Sequence, residues 1–274
     1  MRFSTSKIVI FCCLASLLFS LAACSEYQAV LKSKDPELKY QKALTFFNDK
    51  QYVKAQTLLD EVTSYYRGTD RSQDVLIYLS RSYMGQKDYI AAAEYYQAYI
   101  RNYPKGRYIV EAQFQVGHCY YLEAPDARLD QTDTRKAIEF FTRFVELYPD
   151  NPYAQQAYQE MNELYDKLAH KELLSAKLYY NLGTYLGNNY LSAEIVAKNA
   201  LEDYPTNKYQ EELNWIILQA KYQQVINSVD SKREERARET EDEYYSFITQ
   251  YPTSKYRTAA DKINKDLKKI LKKK

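Results

Sequence analysis

The side chains with the chemistry for metal binding or nucleophilic catalysis are two histidines and four cysteines in a chain of 274 residues. His118 and His170 lie far apart in sequence, and neither stands in a His-Glu-x-x-His or comparable metal-ligand spacing. Cys119 follows His118 directly, but neighbours on a helix point about 100° apart, so the two do not form a nucleophile–base pair. The six glycines are scattered, which excludes a glycine-rich phosphate loop and a Gly-x-Ser-x-Gly elbow. The sequence therefore predicts a protein that is not an enzyme and binds no metal.

The N-terminus carries a different kind of chemistry. Two basic residues and an apolar run over 8–18, too short to span a bilayer comfortably, precede a short motif that ends in a cysteine. The motif reads Leu21-Ala22-Ala23-Cys24. This order is that of an export signal, and the motif resembles the bacterial lipobox. The resemblance implies that signal peptidase recognises Leu21, Ala22 and Ala23, cuts before Cys24, and leaves Cys24 to carry diacylglycerol and an N-acyl chain. The alternative is a plain secretory signal with a coincidental cysteine.

Removal of residues 1–23 changes the charge and the cysteine count. The segment carries two of the 38 basic residues and none of the 36 acidic ones, so 38 − 2 leaves 36 of each sign. A neutral protein is not expected to have nucleic acid as its main partner. Cys12 and Cys13 leave with the signal and Cys24 carries lipid, so Cys119 has no partner for an intramolecular disulfide. Stability must come from helix packing, and no cofactor is expected apart from the covalent lipid on Cys24.

The lipobox resemblance also implies a location. Several acyl chains hold a protein on a membrane far more firmly than a single chain does. Ser25 follows Cys24, whereas an aspartate at this position in bacterial lipoproteins is associated with retention in the inner membrane. No acidic run of the kind linked to surface display follows Ser25. We therefore expect a lipid-anchored protein of the outer membrane whose body faces the periplasm.

The elements that must position any functional surface are marked by a repeated phrase. Tyr-Pro-x-x-x-Tyr-x-x-x-(Ala/Leu) occurs four times, starting at Tyr103, Tyr148, Tyr204 and Tyr251. Proline disfavours the α-conformation of the residue before it, so each first tyrosine should end a helix. Pairs that cap helices follow three of the prolines. They are Asp150-Asn151, Thr206-Asn207 and Thr253-Ser254. Each phrase thus predicts a joint at which one helix stops and the next begins.

A small residue stands twelve positions before the proline of each joint. These residues are Ala92, Ala137, Ala193 and, in the least typical copy, Thr240. Ala55 stands at the same interval before Arg67, so Tyr66-Arg67 is interpreted as a fifth joint without its proline. Apolar residues follow each small residue at four and seven positions. They are Leu59 and Val62, Tyr96 and Tyr99, Phe141 and Phe144, Ala197 and Ala200, and Tyr244 and Phe247. This pattern resembles the tetratricopeptide repeat, with an ordinary amphipathic bundle as the alternative.

The predicted fold is an all-α, right-handed tetratricopeptide-like solenoid of about five helix-turn-helix repeats over 37–254. A lipidated tether over 24–36 precedes it, and a basic amphipathic capping helix over 255–274 follows it. The predicted helices are 37–48 with 52–66, 71–86 with 89–103, 107–122 with 132–148, 153–187 with 190–204, 208–227 with 234–250, and 255–272. The stretch 153–187 is expected to be one long helix, or else to break near His170. A polar loop over 123–134 is expected to be either a contact surface or a solvated spacer.

The order of these features narrows the resemblance. A lipobox cysteine, a short tether, five repeats, an insertion in the third repeat and a long helix in the fourth resemble the BamD family of β-barrel assembly lipoproteins. The resemblance covers roughly 24–225 and is clearest over 130–157 and 176–205. It implies a scaffold that binds a BamA-like barrel-forming subunit through its C-terminal repeats and receives unfolded outer-membrane proteins through its N-terminal repeats. Since the helix over 255–272 departs from shorter members, no residue-level contact with that subunit is transferred.

Helical repeats usually bind extended partners along a concave face, and a groove lined by tyrosine suits a peptide. The candidates for its lining are Tyr40, Phe47, Tyr78, Tyr83 and Tyr120, each of which can equally serve packing. Two other functions stay open. One is a tetratricopeptide lipoprotein that coordinates envelope division or peptidoglycan synthesis. The other is a glycan-capturing helical-repeat lipoprotein, which the near absence of aromatic residues from the loops disfavours.

Overall fold

A computed structural model of the chain describes residues 26–272. Residues 26–32 are helical, and eleven longer helices follow within the described range. They are α1 (Pro36–Asn48), α2 (Tyr52–Tyr66), α3 (Arg71–Gly85), α4 (Tyr89–Asn102), α5 (Ile109–Glu123), α6 (Thr132–Leu147), α7 (Pro152–Leu182), α8 (Asn189–Asp203), α9 (Gln210–Ile226), α10 (Asp230–Gln250) and α11 (Arg257–Lys272). The all-α fold class is confirmed.

The chain divides into two compact units. Unit 1 comprises the residues up to Glu123 together with Lys136–Ala157. Unit 2 comprises Ala124–Arg135 together with the residues from Tyr158 onward. In unit 1 the helices from α1 to α5 pack in succession, from the pair α1 and α2 to the pair α4 and α5, and α1 also contacts α3. In unit 2 the same succession runs from α8 to α11. Packing of neighbours in sequence is the arrangement that stacked helical hairpins require.

The residues at the predicted repeat offsets form the core of each unit. Ala55, Ala92, Ala137 and Ala193 are fully buried, and Thr240 is 1% exposed. All ten residues four and seven positions after them are 5% exposed or less. A small residue lets the paired helix approach closely, and the two apolar residues after it fill the space between helices. The tetratricopeptide-like repeat is therefore confirmed.

Three of the predicted joints share one backbone geometry. Tyr103, Tyr204 and Tyr251 have φ from −133° to −127° and ψ from 63° to 67°. Three of the predicted caps then accept a hydrogen bond from the backbone N–H two residues later. The pairs are Asn151 with Tyr153 at 3.0 Å, Asn207 with Tyr209 at 2.7 Å, and Ser254 with Tyr256 at 2.9 Å. Each phrase therefore ends one helix and starts another, as its residues predict.

Two predicted helix boundaries are wrong. Helix α7 runs unbroken past His170, so the alternative of a break there is excluded, and it ends at Leu182 rather than 187. It ends there because Gly183 adopts a left-handed φ of 57°, which favours glycine after a helix. Helix α10 begins at Asp230 rather than 234, so most of the charged stretch over 227–237 is helical. The other predicted bounds agree to within two residues.

The polar loop between α5 and α6 is held in place by hydrogen bonds to its backbone carbonyl groups. Gln131, which is 2% exposed, donates from Nε2 to the carbonyl oxygens of Asp126 at 2.8 Å and Leu129 at 3.1 Å. From α7, Lys167 Nζ donates to the Ala124 carbonyl at 2.7 Å and Lys171 Nζ donates to the Leu129 carbonyl at 2.8 Å. The loop is thus fixed by hydrogen bonds to its own backbone, while the Leu129 side chain stays 58% exposed.

Candidate functional site

The five predicted groove residues all lie in unit 1 but fall into two groups. Phe47 of α1 meets Tyr78 of α3 edge to face, with ring centroids 5.1 Å apart. Burial is the main cause of the raised pKa of Tyr40 of α1, and nearby Tyr78 contributes to the same shift. In contrast, Tyr83 stacks on Tyr95 of α4 at 4.9 Å, and Tyr120 stacks on Phe140 of α6 at 5.8 Å. Of the five residues only Tyr40 and Tyr78 belong to the surface described next, and ligand contact by any of the five stays a prediction.

Tyr40 and Tyr78 are part of an array in which arginine guanidinium groups lie over tyrosine rings. We call this the arginine–tyrosine array, and it consists of Tyr40, Arg71, Tyr78, Arg81, Arg107 and Tyr108. Arg71 Cζ lies 4.9 Å from the centroid of Tyr40. Arg81 Cζ lies 5.2 Å from the centroids of both Tyr78 and Tyr108. Arg107 Cζ lies 5.1 Å from the centroid of Tyr108. These distances are those of cation–π contacts.

Each arginine of the array also has a carboxylate partner. Arg81 binds Glu111 in a fork, with Nε to Oε1 at 2.7 Å and Nη2 to Oε2 at 2.5 Å. Arg71 forms an ion pair with Glu37, and Arg107 forms one with Asp74. Because each guanidinium is matched by one carboxylate, the array presents flat aromatic and guanidinium faces with little net charge.

Helix periodicity explains why α3 carries the centre of the array. Arg71, Asp74, Tyr78 and Arg81 follow one another at intervals of three and four residues, which places them on one face of the helix. The Asp74 carboxylate accepts a hydrogen bond from the Tyr108 hydroxyl at 2.8 Å, which ties α3 to the start of α5. Tyr78, Arg81 and Tyr108 are therefore held between α3 and the start of α5, and they have few free rotamers to lose when a ligand binds.

Two members of the array, Tyr40 and Arg81, keep their charge state near neutral pH. Burial, followed by the negative charge of Asp74, raises the pKa of Tyr40 to about 12. Burial alone would lower the pKa of Arg81, but its hydrogen bond to Glu111 and the charge of Glu111 outweigh burial, so that pKa is raised. Tyr40 thus keeps its hydroxyl proton and Arg81 keeps its positive charge. In these charge states the two residues can stack and donate hydrogen bonds.

The histidines and the internal cysteine take part in packing. His118 stacks on Phe114 at 5.7 Å, and His170 stacks on Tyr209 at 4.8 Å. Cys119 is fully buried, with Sγ 3.7 Å from Met84 Sδ. Within residues 26–272, no three His, Cys, Asp or Glu side chains come together as a metal site. The predicted signal residues Leu21, Ala22 and Ala23 and the predicted lipid attachment residue Cys24 lie outside the described residues.

Comparison with known proteins decides the family. Residues 32–188, more than half of the chain, match the model of the YfiO family, which is described as an outer membrane lipoprotein family. The chain belongs to this family. The matched residues include the whole arginine–tyrosine array, α1 to α6 and all of α7. Together with the two relatives described next, this match confirms the predicted resemblance to BamD. Membership also supports a place in the outer membrane.

Two curated relatives agree with the family assignment. The outer membrane protein assembly factor BamD of Pasteurella multocida is 26% identical over 183 residues, which cover 63% of this chain and 70% of the relative. The BamD of Haemophilus influenzae is 27% identical over 142 residues, which cover 52% of this chain and 51% of that relative. Across residues 26–272, every helix is too short or too polar to cross a membrane.

Sequence reasoning found two of the three tyrosines of this surface, Tyr40 and Tyr78, but missed its arginines. Arg71, Arg81 and Arg107 were not among the predicted site residues, and neither was Tyr108. A signal for them exists in the spacing of Arg71, Asp74, Tyr78 and Arg81, because it places alternating charge and an aromatic ring on one helix face. Such a face is usually a solvated one, and only the contact with Tyr108 and Glu111 distinguishes it.

Proposed function

We propose that this lipoprotein is a non-catalytic component of outer-membrane β-barrel assembly. It is anchored through acyl chains on Cys24, binds a BamA-like barrel-forming subunit, and receives unfolded outer-membrane proteins before they fold and insert. The family match and the two relatives named as outer membrane protein assembly factors support this proposal. The body then faces the periplasm, where these partners meet.

The arginine–tyrosine array is the observation that carries the substrate-receiving part of the proposal. Strands of outer-membrane barrels alternate apolar and polar residues and carry aromatic residues near both membrane interfaces. An unfolded strand is an extended segment with few charges, so a surface of high net charge would recognise it poorly. The array instead offers the faces of Tyr78, Arg81 and Tyr108, whose charges are neutralised by partners in the same unit.

The strength of such contacts suits a transient substrate. An aromatic pair contributes about 0.5–1.5 kcal/mol beyond its buried area, and an exposed cation–π contact contributes about 0.5–1 kcal/mol. A segment must therefore engage several members of the array before binding exceeds its entropic cost. Because each contact is weak, a bound segment can be released stepwise to the barrel-forming subunit.

The partner part of the proposal is tested by isolating the complex. The tagged, lipidated protein is extracted from its own envelope in a gentle detergent, and co-purifying proteins are identified by mass spectrometry. We expect a BamA-like barrel protein in near-equal amount. Recovery of division or peptidoglycan-synthesis proteins without such a barrel protein would favour the alternative coordinating function and overturn this part of the proposal.

The substrate part is tested by titrating the full-length protein in nanodiscs against a fluorescent peptide that copies one strand of an outer-membrane barrel. Tyr78→Leu keeps apolar bulk but removes the ring beneath Arg81, so we expect binding to weaken about threefold to tenfold, as the loss of about 1 kcal/mol implies. Tyr65→Leu is the matched control, since Tyr65 is 65% exposed and lies outside the array. Equal binding by the wild type and Tyr78→Leu would exclude the array as the receiving surface.

A further inference from the structure

Unit 1 contains a second concavity that the proposed function does not use. It lies between the C-terminal halves of α4 and α6 and has a volume of about 300 Å³. Ile100 and Arg101 line it from α4, and Phe140, Arg143 and Leu147 line it from α6. Gln113 of α5 completes the lining. We call this the α4–α6 cleft.

The cleft has two positive charges that the described part of the chain leaves unmatched. Neither Arg101 nor Arg143 has an ion-pair or hydrogen-bond partner within residues 26–272, whereas Arg81 is bound in a fork by Glu111. Both arginines are exposed beside the apolar wall formed by Phe140 and Leu147. Arg101 lies in the last turn of α4, where a cation also stabilises the helix dipole, but this accounts for only one of the two.

A polar group of the cleft is also left without a partner. The Gln113 side-chain oxygen Oε1 is buried and accepts no hydrogen bond from residues 26–272. A buried carboxamide oxygen without a partner costs free energy, and rotation of the terminal torsion can turn either the oxygen or the NH₂ group toward a ligand. The site therefore combines apolar walls, unmatched cations and one group that can accept or donate a hydrogen bond.

The packing of the repeat does not require arginines at positions 101 and 143. Residues 37 positions earlier, on α2, and 45 positions earlier, on α4, occupy the same offsets from Ala55 and Ala92 that the cleft residues occupy from Ala92 and Ala137. Ser64 corresponds to Arg101, Ala98 corresponds to Arg143, and Tyr95 corresponds to Phe140. Phe140 stacks on Tyr120 as Tyr95 stacks on Tyr83, so the aromatic contact is common to both pairs. The pair α4 and α6 therefore differs from the preceding pair in its two positive charges.

We propose that the α4–α6 cleft is a docking site for an acidic peptide segment of a partner protein. One large apolar side chain of the segment enters between Ile100, Phe140 and Leu147. Carboxylates on either side of that side chain pair with Arg101 and Arg143, and a polar group of the segment meets the Gln113 carboxamide. The proposal stands on its own contacts and does not depend on the receiving role of the arginine–tyrosine array.

The size of the cleft favours a peptide side chain over a lipid. Its volume is at the lower limit of small-molecule sites, which span roughly 300–1,000 Å³. One leucine or phenylalanine side chain with its neighbouring backbone fits a site of this size, whereas the acyl chains of a phospholipid need a longer channel. Two arginines without partners also match a segment with a carboxylate on each side of its apolar residue.

The test uses full-length protein in nanodiscs of zwitterionic lipid and an acetylated, amidated, fluorescent peptide of sequence Asp-Glu-Phe-Leu-Glu-Asp. Two comparison peptides replace either the four acidic residues by Asn and Gln or the two apolar residues by Ala. We expect only the first peptide to bind well, and added salt to weaken it because charge pairing steers the contact. Equal binding of the acidic and amide peptides would overturn the proposal.

Two variants locate the binding. The double variant Arg101→Gln with Arg143→Gln should bind the acidic peptide at least about tenfold more weakly, since it loses two charge pairs. The matched control, Arg67→Gln with Lys105→Gln, removes two exposed charges of unit 1 outside the cleft and should bind like the wild type. Equal losses in both variants would mean that only net charge matters and would overturn the proposal.

A third variant tests the binding position with a protein that is expected to fold. A competition with lipid vesicles then tests whether the ligand is a peptide. Leu147 is 55% exposed, so Leu147→Asp should fold normally while its carboxylate repels the acidic peptide and abolishes binding. Undiminished binding by Leu147→Asp would place the peptide elsewhere. Displacement of the bound peptide by vesicles of phosphatidylglycerol, with no displacement by unlabelled peptide, would identify an anionic lipid as the ligand and overturn the proposal.

Discussion

The Tyr99 hydroxyl occupies the place where a side chain at Gly106 would begin. It accepts a hydrogen bond from the Tyr108 backbone N–H at 3.1 Å and donates one to Gln73 Oε1 at 2.9 Å. In the later joints the equivalent N–H is capped by the side chain two residues after the proline. The joint that starts at Tyr103 is therefore capped by a core tyrosine, and glycine at 106 makes room for it.

Gly106→Ala should destabilise unit 1. The added methyl group would overlap the Tyr99 hydroxyl, and overpacking of this kind costs about 1–3 kcal/mol. Urea denaturation followed by circular dichroism measures the loss. Lys105→Ala is the control, because Lys105 is exposed and such surface changes stay within about 0.5 kcal/mol. Wild-type stability in Gly106→Ala would mean that Tyr99 moves aside without cost.

The same joint can be rebuilt on the pattern of the others. Gly106→Asn alone should clash with Tyr99, and Tyr99→Phe alone should leave the Tyr108 N–H without its acceptor. Together they should restore a side-chain cap like that of Asn207, so the double variant should be more stable than the sum of the single losses by about 1 kcal/mol. Strict additivity would contradict the relationship between Tyr99 and Gly106.

The repeat could be predicted from the sequence because its determinants are local. A proline fixes the residue before it, and a small residue followed by two apolar ones marks the buried face of a single helix. Ala92, Tyr96 and Tyr99 are buried as these offsets require. The end of α7 escaped prediction because it depends on the left-handed backbone at Gly183, which sequence spacing does not reveal.

The functional surfaces were less predictable because they depend on contacts between helices. Tyr78 could be named from its residue type, but its role in the array depends on Arg81 reaching both Tyr78 and Tyr108. The α4–α6 cleft escaped prediction altogether. Arg101 and Arg143 are ordinary solvated residues when each helix is considered alone, and their common position on one cleft becomes visible only when α4 and α6 are placed side by side.

The stability of unit 2 should depend on α11. Trp215, the single tryptophan of the chain, stacks on Tyr256 with centroids 4.9 Å apart, and Leu267 of α11 is fully buried. Leu267→Ala should lower the free energy of unfolding by about 2–5 kcal/mol through the cavity that it leaves. Tyr256→Ala should shift the Trp215 emission to longer wavelength, because water reaches the indole ring.

Tyr245→Ala is the control for both measurements on unit 2. Tyr245 is 45% exposed, so its removal should change neither the emission nor the unfolding midpoint by much. If Leu267→Ala unfolds at the same urea concentration as Tyr245→Ala, α11 does not unfold together with α9 and α10.

Cys119 should make the folded state less stable at alkaline pH. Burial, with a smaller contribution from the charge of Glu123, raises the pKa of its thiol to about 12, while an unfolded cysteine ionises near pH 8.5. Above about pH 8.5 the unfolded chain loses this proton and the folded chain keeps it, so the free energy of unfolding falls as the pH rises. For this one group the loss amounts to about 2 kcal/mol between about pH 8 and pH 10. Urea denaturation of the wild type and Cys119→Ala across this range should show a steeper fall in the wild type, and parallel pH profiles would contradict the burial of an un-ionised thiol.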